Sequence, residues 1–216
     1  MIVTIQKPLG EILDFIAPYK SVMVIGCDGC TQPPRGIREA KTLAQLLELG
    51  GRLRDKEFEF RVNTLVKQCD SHLTATALKE MMDSGVEAVL SLACGLGPQT
   101  IARLYPEIPA FPAQNTVFLG AEEREEGNIE ERCAACGDCI LGLTGGICPI
   151  SRCAKSLLNG PCGGSQNGKC EIGQDRDCAW ALIIERLGRL GKLQNLEVIQ
   201  PPKNYGVVKR PAKISP

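Results

Sequence analysis

The sequence of 216 residues predicts an α/β domain that is followed by a smaller, cysteine-rich domain. In the first part of the chain, short apolar segments alternate with segments of helical periodicity, which is typical of α/β proteins. Each of the first three apolar segments is followed by a cysteine. Eight of the twelve cysteines lie within residues 133–178, where little apolar material is left to build an ordinary core. We therefore expect the second domain to fold around metal ions or inorganic clusters.

Helices and strands alternate along the first domain. Apolar residues at helical spacing predict helices over residues 9–19, 36–49, 73–84 and 99–104. Continuous or alternating apolar segments predict strands over residues 21–25, 58–66, 88–92 and 116–119. Strands separated by helices are joined by right-handed crossovers, so the four strands are expected to form a parallel sheet with helices on both faces. The predicted fold is therefore a Rossmann-like, three-layer α/β domain.

Four cysteines follow the ends of the predicted strands. Cys27 and Cys30 follow the first strand, Cys69 the second and Cys94 the third. Ligands of parallel sheets collect outside the carboxyl ends of the strands, so these thiols are expected to meet and to hold one 4Fe-4S cluster or one zinc ion. His72 is an alternative ligand, although such a histidine is more often a surface residue. In the competing interpretation, Cys69 and Cys94 are only small buried hydrophobic residues.

The eight later cysteines carry the strongest signal in the sequence. They run Cys133-x2-Cys136-x2-Cys139-x8-Cys148-Pro149 and continue with Cys153, Cys162, Cys170 and Cys178. Eight thiolates are enough for two 4Fe-4S clusters or for two zinc sites. The Cys-x2-Cys-x2-Cys spacing favours iron–sulfur and a ferredoxin-like cluster-binding segment, because zinc ribbons use two separated Cys-x2-Cys pairs.

The division of these eight ligands between two clusters stays open at this stage. In two-cluster ferredoxins, three closely spaced cysteines take a distant fourth ligand. By that analogy, one candidate division gives Cys178 to the cluster of Cys133, Cys136 and Cys139. The second cluster would then be held by the remaining four cysteines, Cys148, Cys153, Cys162 and Cys170.

Composition and charge narrow the class of protein. Residues 1–131 carry 13 basic and 19 acidic side chains, whereas residues 132–216 carry 12 and 6. The positive excess of the second part would offset anionic clusters, or it is a solvated surface imbalance. The sequence shows neither a signal peptide nor a long apolar segment, so we expect a cytoplasmic protein, in which cysteines are rarely paired as disulfides. Aromatic residues make up only 4% of the chain, so the sequence does not suggest flavin stacking or binding of single-stranded nucleic acid. It also contains no nucleotide-binding motif.

The expected domain boundaries follow the change in composition. Residues 1–120 form the α/β domain, and the charged residues 121–131 form an acidic linker. Residues 132–180 form the iron–sulfur domain. Residues 181–216 begin with an amphipathic helix and end in an extended tail rich in proline and lysine.

Several motifs together resemble one known family. They are Cys94-Gly95-Leu96-Gly97-Pro98-Gln99, Glu131-Arg132-Cys133-Ala134-Ala135-Cys136-Gly137-Asp138-Cys139, Gly145-Gly146-Ile147-Cys148-Pro149, Asn159-Gly160-Pro161-Cys162-Gly163-Gly164 and Asp177-Cys178-Ala179-Trp180. In this order they resemble the small MetV-type iron–sulfur subunit of bacterial methylenetetrahydrofolate reductase, whose sequence domain is the methylenetetrahydrofolate reductase C-terminal domain. The resemblance extends over nearly the whole chain. One departure from it is that no third cysteine follows shortly after Cys30.

The resemblance implies a partner and a role in electron transfer. In this family, the small subunit binds a flavin-containing TIM-barrel subunit that reduces methylenetetrahydrofolate to methyltetrahydrofolate, in the reductive acetyl-CoA pathway or related one-carbon metabolism. The FMN or FAD and the folate are then expected on the partner only. This chain would carry two or three 4Fe-4S clusters, with zinc as the alternative at one site, and no catalytic acid, base or nucleophile. The alternative function is a scaffold, stabilised by zinc or clusters, that holds the catalytic subunit without passing electrons.

Overall fold

The structure is a computed structural model that describes residues 1–123, 127–208 and 210–213. It divides the chain into two compact units, Met1–Phe118 and Leu119–Pro216. The elements of the first unit are β1 (Ile2–Gln6), α1 (Leu9–Ile16), β2 (Ser21–Cys27), β3 (Thr31–Gln32), α2 (Ile37–Arg52), β4 (Glu59–Leu65), α3 (Ser71–Met82), β5 (Ala88–Ser91), α4 (Leu96–Leu104), β6 (Ala110–Pro112) and β7 (Gln114–Glu123), which continues into the second unit.

A four-stranded parallel sheet forms the centre of the first unit, in the order β4-β2-β5-β6. The strand β2 pairs with β4 from Ser21↔Glu59 to Cys27↔Leu65, and on its other side with β5. All seven of its residues are buried, as its continuous apolar sequence predicts. After β2, the chain adds β4 on one side of β2 and then β5 and β6 on the other side. The strand order therefore reverses beside β2, and ligands of doubly wound sheets bind at such a switch point.

Helices cover both faces of this sheet, so the predicted α/β class is confirmed. Successive residues of β2 point to opposite faces. Val22 and Val24 pack against α1 and α2, whereas Met23 and Ile25 pack against α3 and α4. The result is a layer of helices on each side of the sheet, which is the arrangement expected of a Rossmann-like domain.

Two expectations about the first unit need correction, and one pair of strands was not predicted. The helix α2 continues to Arg52, beyond residue 49 where the prediction ended it, and Gly51 within its last turn lies so close to Phe58 that a Cβ atom would be 2.7 Å from the ring. The fourth strand of the parallel sheet is β6, not residues 116–119, which belong to β7. The structure also contains β1 and β3, a short parallel pair in which Ile2 lies opposite Thr31.

The second unit is built from short elements. They are β8 (Asn128–Cys133), α5 (Pro149–Arg152), β9 (Lys169–Cys170), β10 (Gly173–Asp177), α6 (Ala179–Arg189) and two 3₁₀ turns, Leu193–Glu197 and Tyr205–Val207. The only apolar cluster described in this unit gathers along α6, where Trp180, Ile183 and Leu187 are buried. The indole N–H of Trp180 donates a hydrogen bond to the Leu157 carbonyl at 2.8 Å. A ferredoxin-like arrangement of this unit stays a prediction.

Residues 121–131, for which the sequence predicts an acidic linker, form part of a β-hairpin where the structure describes them. The end of β7 pairs in antiparallel fashion with β8, from Leu119↔Cys133 to Glu123↔Asn128. Backbone pairing holds this hairpin although its sequence is rich in charge, which explains why composition alone suggested a linker. Within β8, Glu130 is paired with Arg132 at 2.8 Å and with Arg152 at 3.2 Å. Residues 124–126 lie outside the described residues.

The tail, expected to be extended, lies on the second unit along much of its length. The side-chain amide of Asn159 donates to the Gln200 carbonyl at 2.9 Å, and the Gln200 N–H donates to the side-chain oxygen of Asn159 at 2.7 Å. Further along, the ammonium group of Lys203 donates to the Asp138 carbonyl. Among the described residues, no helix is long and apolar enough to cross a membrane.

Candidate metal centres

The four cysteines that follow strand ends surround one cavity of about 270 Å³. We call this the first cysteine cavity, and its thiols are Cys27, Cys30, Cys69 and Cys94. It lies outside the carboxyl ends of β2, β4 and β5, as the topology of the sheet requires. Cys27 and Cys94 are buried, whereas Cys30 and Cys69 are exposed. One side of this set of four cysteines therefore faces solvent.

Backbone hydrogen bonds fix the loop that carries Cys27 and Cys30. The Cys27 N–H donates to the Arg35 carbonyl at 2.7 Å, and the Cys30 carbonyl accepts from the Ile2 N–H at 2.8 Å. Gly26 is required just before Cys27, because a Cβ atom there would lie 2.6 Å from the Gly36 carbonyl oxygen. Close approach of two backbone segments therefore sets the direction in which β2 delivers its thiol.

Gln68 ties the three loops of the first cysteine cavity together. Its side chain is fully buried and donates to the carbonyls of Ile25, at 3.1 Å, and Gly26, at 2.7 Å. Its oxygen accepts from the Ser91 hydroxyl at 2.6 Å. Gln68 thus links the loop of Cys69 to the ends of β2 and β5. Sequence analysis missed this residue, and no spacing rule marks a glutamine that becomes buried only when three strand ends meet.

Electrostatics in this cavity favour the neutral thiol of Cys94. Burial raises the pKa of this thiol, a hydrogen bond from the Leu96 N–H lowers it, and the neighbouring thiols of Cys30, Cys69 and Cys27 raise it further. A metal held by four thiolates here would have to offset both the burial and their mutual repulsion. His72 takes no part in the lining of the cavity. It is exposed in the first turn of α3, where its backbone N–H donates to the Asp70 cap at 3.1 Å.

Four later cysteines line another cavity, within the second unit. This second cysteine cavity is surrounded by Cys153, Cys162, Cys170 and Cys178. The space among these residues is only about 10 Å³, roughly enough for one water molecule. The thiol of Cys162 donates to the Glu171 carboxylate at 3.6 Å, and Glu171 is also paired with Lys155.

Cys178 has the most developed hydrogen bonding of these thiols. Burial raises its pKa, but the Ser165 hydroxyl and the backbone N–H groups of Ala181 and Trp180 donate hydrogen bonds that bring the pKa below its ordinary value. These two N–H groups belong to the first turn of α6, where the helix dipole also favours negative charge. These contacts therefore favour the thiolate form of Cys178.

The structure groups the later cysteines differently from the division considered above. Cys178 lies with Cys153, Cys162 and Cys170, not with the Cys-x2-Cys-x2-Cys run. The physical reason is β9 and β10, whose antiparallel pairing brings the start of α6 back beside Cys170. The cysteines left for another site are Cys133, Cys136, Cys139 and Cys148.

The loop of Cys133, Cys136 and Cys139 is held by the tail. Lys203 has a side chain that is only 4% exposed and lies beside both Asp138 and Cys136. Burial lowers the pKa of Lys203, but its hydrogen bonds to Cys136 and Asp138 raise the pKa above the ordinary value. A retained positive charge therefore stands beside a potential thiolate ligand.

The donor chemistry of the three groups suits soft metals, because thiolates bind zinc and iron–sulfur clusters. Within residues 1–123, 127–208 and 210–213, however, no three His, Cys, Asp or Glu side chains converge as they would on one metal ion.

The fold and these cavities define an α/β protein with cysteine-lined candidate metal centres. Residues 111–206 match the model of a family described as "Methylene-tetrahydrofolate reductase C terminal". The match contains all eight later cysteines and relates this part of the chain to methylenetetrahydrofolate reductases. It is shorter than the resemblance seen in the sequence, since it leaves out nearly all of the first unit. No curated protein and no solved structure matches the chain.

Proposed function

We propose that the chain is an iron–sulfur electron-transfer subunit of a methylenetetrahydrofolate reductase complex, of the MetV type. The observation that carries this proposal is the grouping of the cysteines. Eight of the twelve lie in two sets of four, each around its own cavity, and the other four include the Cys-x2-Cys-x2-Cys run. The family match supports the link to the reductase.

The residues of this chain would hold the clusters and set their potentials. Cys27, Cys30, Cys69 and Cys94 would hold one, and the two later sets of four would hold the others. Bound clusters would supply one-electron carriers between a donor complex and the flavin of a TIM-barrel partner. Cys30 and Cys69 are exposed, so a cluster at the first site would lie near the surface. This position supports the exchange of electrons with a partner protein.

A scaffold role is the second candidate, and one observation favours it. The space within the second cysteine cavity is about 10 Å³, so a zinc ion would require less expansion there than a cluster. A chain with structural zinc at that site would bind the catalytic subunit through a metal-stabilised unit without passing electrons.

Metal analysis and flavin reduction separate the two candidates. Protein purified without oxygen should contain about twelve iron and twelve sulfide per chain if three 4Fe-4S clusters are bound. Cys94→Ala should remove about four of each, whereas His72→Ala should remove none. After reduction of the chain, the flavin of the co-purified partner should be reduced faster than without it. A chain that holds only zinc, or a flavin reduced equally well in its absence, would contradict the proposal.

A further inference from the structure

The end of the chain forms one wall of a cavity at the Cys-x2-Cys-x2-Cys run. This tail cavity measures about 550 Å³ and lies within the second unit. The cysteine loop supplies one part of its lining and the tail supplies another. The lining residues are Ala134, Ala135 and Cys136 from the loop and Tyr205, Val208 and Arg210 from the tail. We call residues 203–208 the strap.

The loop and the strap are in direct contact at Gly137. Its φ of +79° lies in the left-handed region that favours glycine. A Cβ atom at this position would overlap with Cγ2 of Val208 and would lie 3.2 Å from Cγ2 of Val207. A side chain at residue 137 would therefore push the strap away from the loop.

A buried lysine anchors the strap to the same loop. Only 4% of the Lys203 side chain is exposed, and its ammonium group donates to the Asp138 carbonyl and to the sulfur of Cys136. A buried charge needs an anion close by. The Asp138 carboxylate is 3.5 Å away and its side chain is 59% exposed, so it meets this need only in part.

A metal at this site would supply the missing negative charge. The sulfur of a neutral thiol is a weak acceptor, whereas a cysteine binds metal as the thiolate. Metal bound by Cys136 would therefore give Lys203 a charged acceptor. It would also fix the loop against which Val208 packs, because metal binding and local folding are coupled.

We propose that the strap closes over the metal centre of Cys133, Cys136, Cys139 and Cys148, and that the docked strap and the bound metal stabilise each other. The metal holds the strap through Cys136 and the loop. The strap in turn keeps water and competing ligands away from the Cys136 side of the centre. This linkage is the same for a cluster and for zinc, so it goes beyond the proposed function and needs only that these cysteines hold a metal.

The first test removes the metal and follows the strap. Cys148→Ala removes a ligand that does not line the tail cavity, and Cys162→Ala removes a ligand of the second cysteine cavity as a control. The full-length variants are purified without oxygen, and their metal content is measured first. Hydrogen exchange of strap peptides and trypsin cleavage after Lys203 then report on docking. Both should become faster by about tenfold or more in Cys148→Ala and stay at the wild-type rate in Cys162→Ala.

The second test moves the strap and leaves every ligand in place. Gly137→Ala should speed the release of iron to ferrozine, or of zinc to pyridylazoresorcinol, from the site that Cys148→Ala empties. Gly168→Ala is a matched control, since Gly168 has a φ of +76° and open space where a Cβ atom would lie. Val208→Ala removes the overlapping Cγ2 atom, so Gly137→Ala combined with Val208→Ala should release metal more slowly than Gly137→Ala alone.

The outcomes separate this inference from the proposed function. If Cys148→Ala loses metal but its strap exchanges and is cleaved at the wild-type rate, the inference is overturned and the proposed function stands. Equal rates of metal release in Gly137→Ala and Gly168→Ala would have the same meaning. If Cys148→Ala loses no metal, both are overturned. A chain that holds only zinc and still shows the expected exchange and release would support the inference and overturn the proposed function alone.

Discussion

Replacement of Gln68 by methionine tests whether one buried side chain holds the first cysteine cavity together. Methionine has nearly the same volume and leaves little void, so the change isolates the loss of polar contacts. Three hydrogen bonds disappear, two to the carbonyls of Ile25 and Gly26 and one from Ser91. At about 1 kcal/mol each, we expect the first unit to lose about 3 kcal/mol of stability.

The loss should appear where those bonds lie. Hydrogen exchange of the backbone amides of β2 and β5 should become faster by a factor that corresponds to about 3 kcal/mol, or roughly 150-fold. Trp180 is the only tryptophan and lies in the second unit, so its fluorescence reports on that unit separately. Iron bound at the first site should fall as the loops loosen, whereas iron in the second unit should not.

A matched control and a double-mutant cycle sharpen this test. Gln114 is 2% exposed in the same unit, but its amide makes one hydrogen bond, to Gln6 at 2.9 Å. Gln114→Met should therefore cost about 1 kcal/mol and leave iron content unchanged. Gln68→Met combined with Ser91→Ala should be less destabilising than the sum of the two changes, by about 1 kcal/mol. Equal effects of Gln68→Met and Gln114→Met on exchange and iron would refute this reasoning.

Three further predictions concern the second unit and the pH dependence of stability. Cys178→Ala and Cys162→Ala should abolish the same metal signal, and Cys136→Ala a different one. A signal shared by Cys178 and Cys136 would contradict the grouping seen in the structure. Lys203→Met removes a positive charge beside Cys136, so it should lower the reduction potential of the metal signal that Cys136→Ala abolishes. An unchanged reduction potential in a redox titration of the full chain would contradict this role of Lys203. Hydrogen bonds from two backbone N–H groups lower the pKa of Glu87 in the folded state, so its contribution is complete above the unfolded pKa and is lost as pH falls through the folded pKa. Denaturation at a series of pH values should therefore show a smaller loss of stability in acid for Glu87→Gln, and parallel curves would argue against this role.

The apolar pattern of the sequence predicts some strands of this protein and misses others. The continuous apolar segment of β2 predicted a strand buried on both faces, and all its residues are buried. By contrast, β6 has three residues and ends at Pro112, so its sequence carries no strand pattern of its own. It becomes a strand because β5 offers it an open edge. In the same way, the charged sequence of β8 hides a strand that its pairing with β7 creates.

The sequence by itself predicted that Cys27, Cys30, Cys69 and Cys94 would surround a common space. Parallel strands in a doubly wound sheet end at one edge, so thiols that follow three strand ends are brought to the same edge of the sheet, and the loops then decide how close they come. The sequence also predicted that residues 133–178 would depend on their cysteines, because this segment has too few apolar residues for a larger core.

Only the tertiary structure decided which later cysteines belong together and which polar groups support them. Spacing allows several divisions of eight thiols, and the choice depends on the turn that β9 and β10 impose before Cys178. Gln68 contacts the Gly26 carbonyl beside Cys27, and Lys203 contacts Cys136, in each case from a segment that is distant in the sequence. Periodicity records which face of an element is buried, whereas such contacts arise only when separate elements pack.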